Sequence, residues 1–225
     1  MFNKWKKNTV YISTMQIILL IVNFFLITII SRKYGAEIYG EYASAKSLSV
    51  LIGTVTVLSL ALVVTRTSAN MEEFDSSLFY TTYRVIIRNT FFAFALVIPL
   101  SNIFGRNFTY VFFFLLGFVF NEMLHVALAY HQSKGDFVIS SKQIIIRTVL
   151  YGLGGWTIVF LDYSIIWIIV FQAVILTLFF IVAHFSLPNT DRSSEGLHDK
   201  KELSSAGRKM AVSYTHLRAH ETTNY

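Results

Sequence analysis

Six predominantly apolar runs, each close to the length needed to cross a bilayer, limit what this chain can fold into. They occupy residues 10–30, 43–64, 85–103, 110–130, 137–161 and 164–183. At about 1.5 Å of rise per residue, about 20 helical residues cover the roughly 30 Å hydrocarbon core of a membrane. A soluble domain has no use for six such runs, because its surface must still be covered with polar groups. Charge is scarce to match: 14% of the 225 residues are charged, against roughly 25% in an average soluble domain. Proline occurs only at Pro99 and Pro188, so the runs are free to be continuous helices. The expected fold is all-α, a polytopic membrane protein with six spans.

The third run is the least regular, with Arg88 and Asn89 near its start and Pro99 near its end. The longest connection, residues 65–84, carries Glu72, Glu73 and Asp75 and is a candidate for an interfacial helix. Lys4, Lys6 and Lys7 precede the first run as they would in a signal peptide. That run is too long for a signal core and no small-residue cleavage site follows it, so it is expected to be retained as a span.

Basic residues set the expected orientation. With the N-terminus inside, the inner segments hold Lys4, Lys6, Lys7, Arg66, Arg84, Lys134, Arg192, Lys200, Lys201, Arg208 and Lys209, whereas the outer loops hold Arg32, Lys33 and Arg106. Eleven against three predicts a multi-pass protein of the cytoplasmic (inner) membrane with both ends of the six-helix unit in the cytoplasm. The net charge of +6 is spread along run ends and forms no basic face, which argues against a nucleic-acid partner. There is no cysteine, hence no disulfide and no thiolate metal site. The sequence contains no G-x-x-x-x-G-K-[ST], G-x-S-x-G or H-E-x-x-H. No enzyme activity, cofactor or metal is expected.

Simple anchors need only apolarity, yet Lys46, Glu122, His125, Lys142 and Arg147 stand at or near membrane depth. Each costs at least about 2.5 kcal/mol to insert, so each should face protein or water. Lys46 and Lys142 lie close enough to run ends either to snorkel or to line a cavity, while Arg147 is too deep to snorkel. Glu122 and His125 share a helix face at i,i+3. Glu122 lies 13 residues before Gly135 and Arg147 12 after it, so an antiparallel pair of helices puts both at one depth. They are expected to meet, either as a structural ion pair or as a pair sensitive to protons or sodium. Gly152, Gly154 and Gly155 favour close helix packing over a hinge.

The segment Ser31-Arg32-Lys33-Tyr34-Gly35-Ala36-Glu37-Ile38-Tyr39-Gly40-Glu41-Tyr42 joins the first two runs. It resembles the first loop of the polysaccharide (O-antigen and teichoic-acid type) flippases of the multidrug/oligosaccharidyl-lipid/polysaccharide exporter superfamily. There an Arg, a Gly and an acidic residue precede an aromatic-Gly-x-aromatic cluster, matched here by Arg32, Gly35, Glu37, Tyr39, Gly40 and Tyr42. Arg66, Gln132-Ser133-Lys134-Gly135 and Lys201-Glu202-Leu203 extend the resemblance thinly over residues 10–210. It implies that residues 1–211 form the N-terminal six-helix lobe of a transporter of twelve to fourteen helices. It further implies a substrate, an undecaprenyl-pyrophosphate-linked oligosaccharide, with membrane lipid and other polysaccharide-assembly proteins as neighbours. A pyrophosphate crossing a low-dielectric layer needs fixed cations, and Arg32, Lys46, Lys142 and Arg147 are the candidates. Glu122 and His125 are the candidates for ion coupling. The competing expectations are a cation-coupled drug antiporter of the same superfamily and a membrane-embedded enzyme of polysaccharide assembly.

Residues 212–222, Val-Ser-Tyr-Thr-His-Leu-Arg-Ala-His-Glu-Thr, resemble the translation of a transposase-type sequencing adapter. Residues 212–225 are therefore expected to be a non-native tail. The i,i+4 histidines within it, His216 and His220, are set aside as a metal site.

Overall fold

The computed structural model describes residues 2–57, 60–70 and 76–187. Its elements are α1 (Phe2–Val57), α2 (Leu60–Ala69), α3 (Ser76–Ile103), α4 (Phe108–Ser133), α5 (Phe137–Phe160) and α6 (Ile165–Phe185). Five helices are long and apolar enough to cross a membrane, and the stretch Lys6–Val57 of α1 is long enough to do so twice. The chain is a multi-pass helical membrane protein. The proposed adapter-like tail, Glu72, Glu73, Asp75 and the basic residues from Arg192 onward lie outside the described residues.

The first two expected spans are not separated by a loop. Helix continues on both sides of Gly35, the one residue within α1 with non-helical angles (φ 82°, ψ 170°). That conformation is open almost only to glycine. Residues 36–42, expected as connection, are already the first turns of the second arm. The second expected span, 43–64, runs from this arm into α2.

The third expected span also begins earlier, at Ser76 instead of residue 85. The segment 76–84 is the opening of α3. Leu78, Phe79 and Tyr83 are buried there, and Thr82 returns its hydroxyl to the Leu78 carbonyl at 2.7 Å. Such back-bonding hides polar side chains inside a helix. Asn89 does not interrupt α3; its amide donates to the Thr56 carbonyl at 2.9 Å and ties α3 to α1.

Helix α4 is the axis of the bundle and packs against each of the other five. Its most apolar stretch is 56% buried, against 28% for α3 and α6. Leu115, Leu124 and Leu128 are wholly enclosed. Helix α5 closes on α1 through its glycines: a β-carbon at Gly152 would strike Val22, and one at Gly155 would meet Leu26 at 2.7 Å. Gly154 gives room to the Phe171 ring of α6. These glycines serve close packing.

Each end of the bundle is tied across the chain. At one end Asn8 donates to the Gly135 carbonyl at 2.9 Å. At the other, Lys33 is ion-paired with Asp162 and the Tyr34 hydroxyl donates to the Tyr163 carbonyl at 2.6 Å. Asp162 is itself in the left-handed region (φ 61°), so the turn between α5 and α6 presents its carboxylate from a conformation most residues avoid.

Candidate functional site

A cavity of about 230 Å³ lies half-way between these two ends. Its position follows from counting along the helices. Asn23 lies 12 residues before Gly35 and Lys46 11 residues after it, about 17 Å along either arm at about 1.5 Å per residue. Both line the cavity, so the arms of α1 fold back on one another about the Gly35 corner. Arg147, the eleventh residue of the 24 in α5, enters from the opposite wall together with Thr148 and Tyr151. Asn121 of α4 and Gln172 of α6 complete the polar lining, and Val50, Phe114, Phe118 and Leu176 supply apolar surface.

On the Gly35 side the cavity is bounded by aromatic packing. Tyr42 is buried, sits edge-on to Phe114 at 5.0 Å and stacks with Tyr39 at 6.3 Å. Its hydroxyl lies 3.3 Å from that of Tyr151. Tyr42 and Tyr151 each stand four residues from a cavity cation, Lys46 and Arg147, so the pair lies one turn toward Gly35. Tyr42 thereby packs behind two residues of the cavity lining, Phe114 and Tyr151.

The Arg147 guanidinium donates through Nη1 to the side-chain oxygen of Asn121 at 2.6 Å. The amide nitrogen of Asn121 in turn reaches Glu122 Oε1 at 3.4 Å. Sequence counting anticipated a Glu122–Arg147 pair; among the described residues no direct ion pair joins them, and Asn121 stands between. The reason is rotational. One residue along a helix turns the side chain by about 100°, so Asn121 faces the cavity and Glu122 lies to its side.

Of the residues singled out from the sequence, the structure brings Lys46 and Arg147 to one cavity. Glu122 is linked to that cavity only through Asn121, and neither it nor His125 lines the wall. Arg32 is exposed at the Gly35 corner and Lys142 is exposed on another flank of α5; neither reaches the cavity. Sequence reasoning missed the amides Asn23, Asn121 and Gln172. Their signal was present, since each is an uncharged hydrogen-bonding group placed mid-run without breaking the run. Gln172 also carries a buried side-chain oxygen that has no donor among the described residues.

The cavity thus offers two cations and three amides near the middle of the bundle, with the nearby carboxylate withdrawn behind an amide. Chemically it suits an anionic group that also carries hydrogen-bonding atoms. Comparison with protein-family models, with curated proteins and with solved structures gives no match.

Proposed function

We propose that this chain forms the N-terminal lobe of an exporter that moves a lipid-linked oligosaccharide, carried on undecaprenyl pyrophosphate, across the cytoplasmic membrane. The single observation that carries the proposal is the joint placement of Lys46 and Arg147 in one cavity half-way along the bundle. A charge at the centre of a membrane helix costs about 2.5–3.5 kcal/mol on insertion scales. Two like charges in one small space are harder still to hold without an anion to meet them. A pyrophosphate supplies that anion, and the amides around it suit the hydroxyls of an attached sugar. The resemblance of residues 31–42 to the first loop of polysaccharide flippases points the same way, and the buried Tyr42 of that segment packs against the cavity residues Phe114 and Tyr151. A drug antiporter for cationic substrates calls for carboxylates at the wall, where Lys46 and Arg147 stand instead.

The test is glycan export in the native host, with the protein expressed from its uninterrupted locus. Lys46→Gln and Arg147→Gln are expected each to lower surface glycan by at least about tenfold, the loss of one charge-assisted phosphate contact. Membrane abundance should stay near normal and the lipid-linked precursor should accumulate. Normal export from the Lys46→Gln/Arg147→Gln double variant removes the proposed function.

A further inference from the structure

The flank of α3 that faces away from the bundle carries charge with no counter-charge among the described residues. Arg84 and Arg88 are both exposed, i,i+4 apart, with β-carbons about 5–6 Å from one another. Tyr80, Ile87 and Phe91 share this flank, 50%, 48% and 76% exposed, so the guanidinium groups sit among apolar side chains that belong against lipid. Among the described residues no carboxylate pairs with either arginine. Arg88 instead turns Nε and Nη2 toward the side-chain oxygen of Asn89, at 3.4 and 3.3 Å. Asn89 is held in turn by its bond to the Thr56 carbonyl. The guanidinium is therefore positioned by a neutral amide and lacks an anion.

We propose that Arg84 and Arg88 bind the phosphate of an anionic phospholipid against α3. Helix α3 starts at the Gly135 end of the bundle, and its 28 residues exceed the roughly 20 needed to span. The surplus of about eight residues places Arg84 near one headgroup layer and Arg88 one turn deeper. Two planar forks one turn apart can share the oxygens of a single phosphate, and basic sites of this kind recognise anionic headgroups. The apolar residues beside them suit acyl chains, which selects a lipid over a free phosphate ion.

The test uses the full chain in mild detergent, with bound lipid counted by native mass spectrometry after mixing with phosphatidylglycerol or phosphatidylcholine. The protein is expected to retain phosphatidylglycerol preferentially. Arg84→Gln and Arg88→Gln should each cut that preference about fivefold, the effect of one basic residue at a membrane surface. Arg106→Gln, at the opposite end of α3, should leave it unchanged. If the double glutamine variant does not fold, Arg84→Lys/Arg88→Lys serves instead; it keeps the charge, loses the forks, and should weaken retention several-fold. An undiminished preference in the variants, an equal loss in Arg106→Gln, retention of neither lipid, or displacement of the lipid by inorganic phosphate each overturns the proposal.

Discussion

The guanidinium of Arg147 donates its short hydrogen bond to the side-chain oxygen of Asn121, and that choice of partner sets what substitutions around the cavity should do. Asn121→Leu removes the acceptor and keeps the volume. It should lower stability by about 1.5–3 kcal/mol, the usual cost of losing a hydrogen bond to a charged group. Glu122→Gln should cost less, because among the described residues Glu122 makes no direct ion pair or hydrogen bond with Arg147. Asn121→Asp should raise the melting temperature by adding a direct counter-charge, yet lower export by cancelling one of the two cavity cations. Melting curves in detergent beside surface-glycan measurements check the order; a larger stability loss in Glu122→Gln than in Asn121→Leu breaks it. Lys46 and Arg147 were legible in the sequence because a charge inside an apolar run stands out at once. Depth was legible too, since counting from Gly135 placed Glu122 and Arg147 level. Rotation was not: a step of one residue turns a side chain by about 100°, and one sequence does not fix the phase. Amides such as Asn23 and Gln172 escape notice because they leave hydropathy nearly intact.

At the scale of helices, the contact of α5 with α1 depends on the absence of side chains. Gly152 faces Val22 and Gly155 faces Leu26, three residues apart on one side of α5. Gly152→Leu should destabilise by about 1–3 kcal/mol or more through overpacking. It should reduce the folded protein recovered from membranes, as seen by fluorescence-detected gel filtration. Gly40→Leu, where a β-carbon meets nothing within 4 Å, is the control and should behave as wild type. Gly35→Ala separates crowding from backbone strain. Its β-carbon also meets nothing, but its angles should cost an alanine about 1–3 kcal/mol, measurable in the same assay. The first, fourth, fifth and sixth expected runs each fall along one helical segment here, while the second is shared between α1 and α2. The third was drawn too short because Thr81, Thr82 and Arg84 depress hydropathy, while the burial of Leu78 and Phe79 that keeps the segment on the bundle is a tertiary fact. The corner at Gly35 was mistaken for a loop because Arg32, Lys33, Glu37 and Glu41 look like one, though all four flank a single non-helical residue.

For the molecule as a whole, helix α4 places Arg106 just beyond one of its ends and Lys134 just beyond the other. Cysteines introduced at these two positions in the cysteine-free chain should label from opposite faces of the membrane. With the N-terminus in the cytoplasm, as the basic residues imply, an impermeant maleimide should reach Arg106→Cys from outside and Lys134→Cys only after lysis. Labelling of both from one side sinks the arrangement. Long-read sequencing across the locus should find coding sequence different from residues 212–222; recovering those codons from genomic DNA ends the adapter explanation.

The corner at Gly35 also bears on how the protein is made. With one residue between the two arms of α1, the first two expected spans form a single hairpin whose corner carries only a few polar side chains. Among them is Lys33, whose partner Asp162 belongs to the turn between α5 and α6. Tyr34 likewise waits for Tyr163, 129 residues further along the chain. During synthesis both groups stay unmatched until α5 and the turn after it have arrived. The clasp closes only on a nearly complete bundle, so a nascent chain arrested earlier displays an open corner to the membrane's quality control.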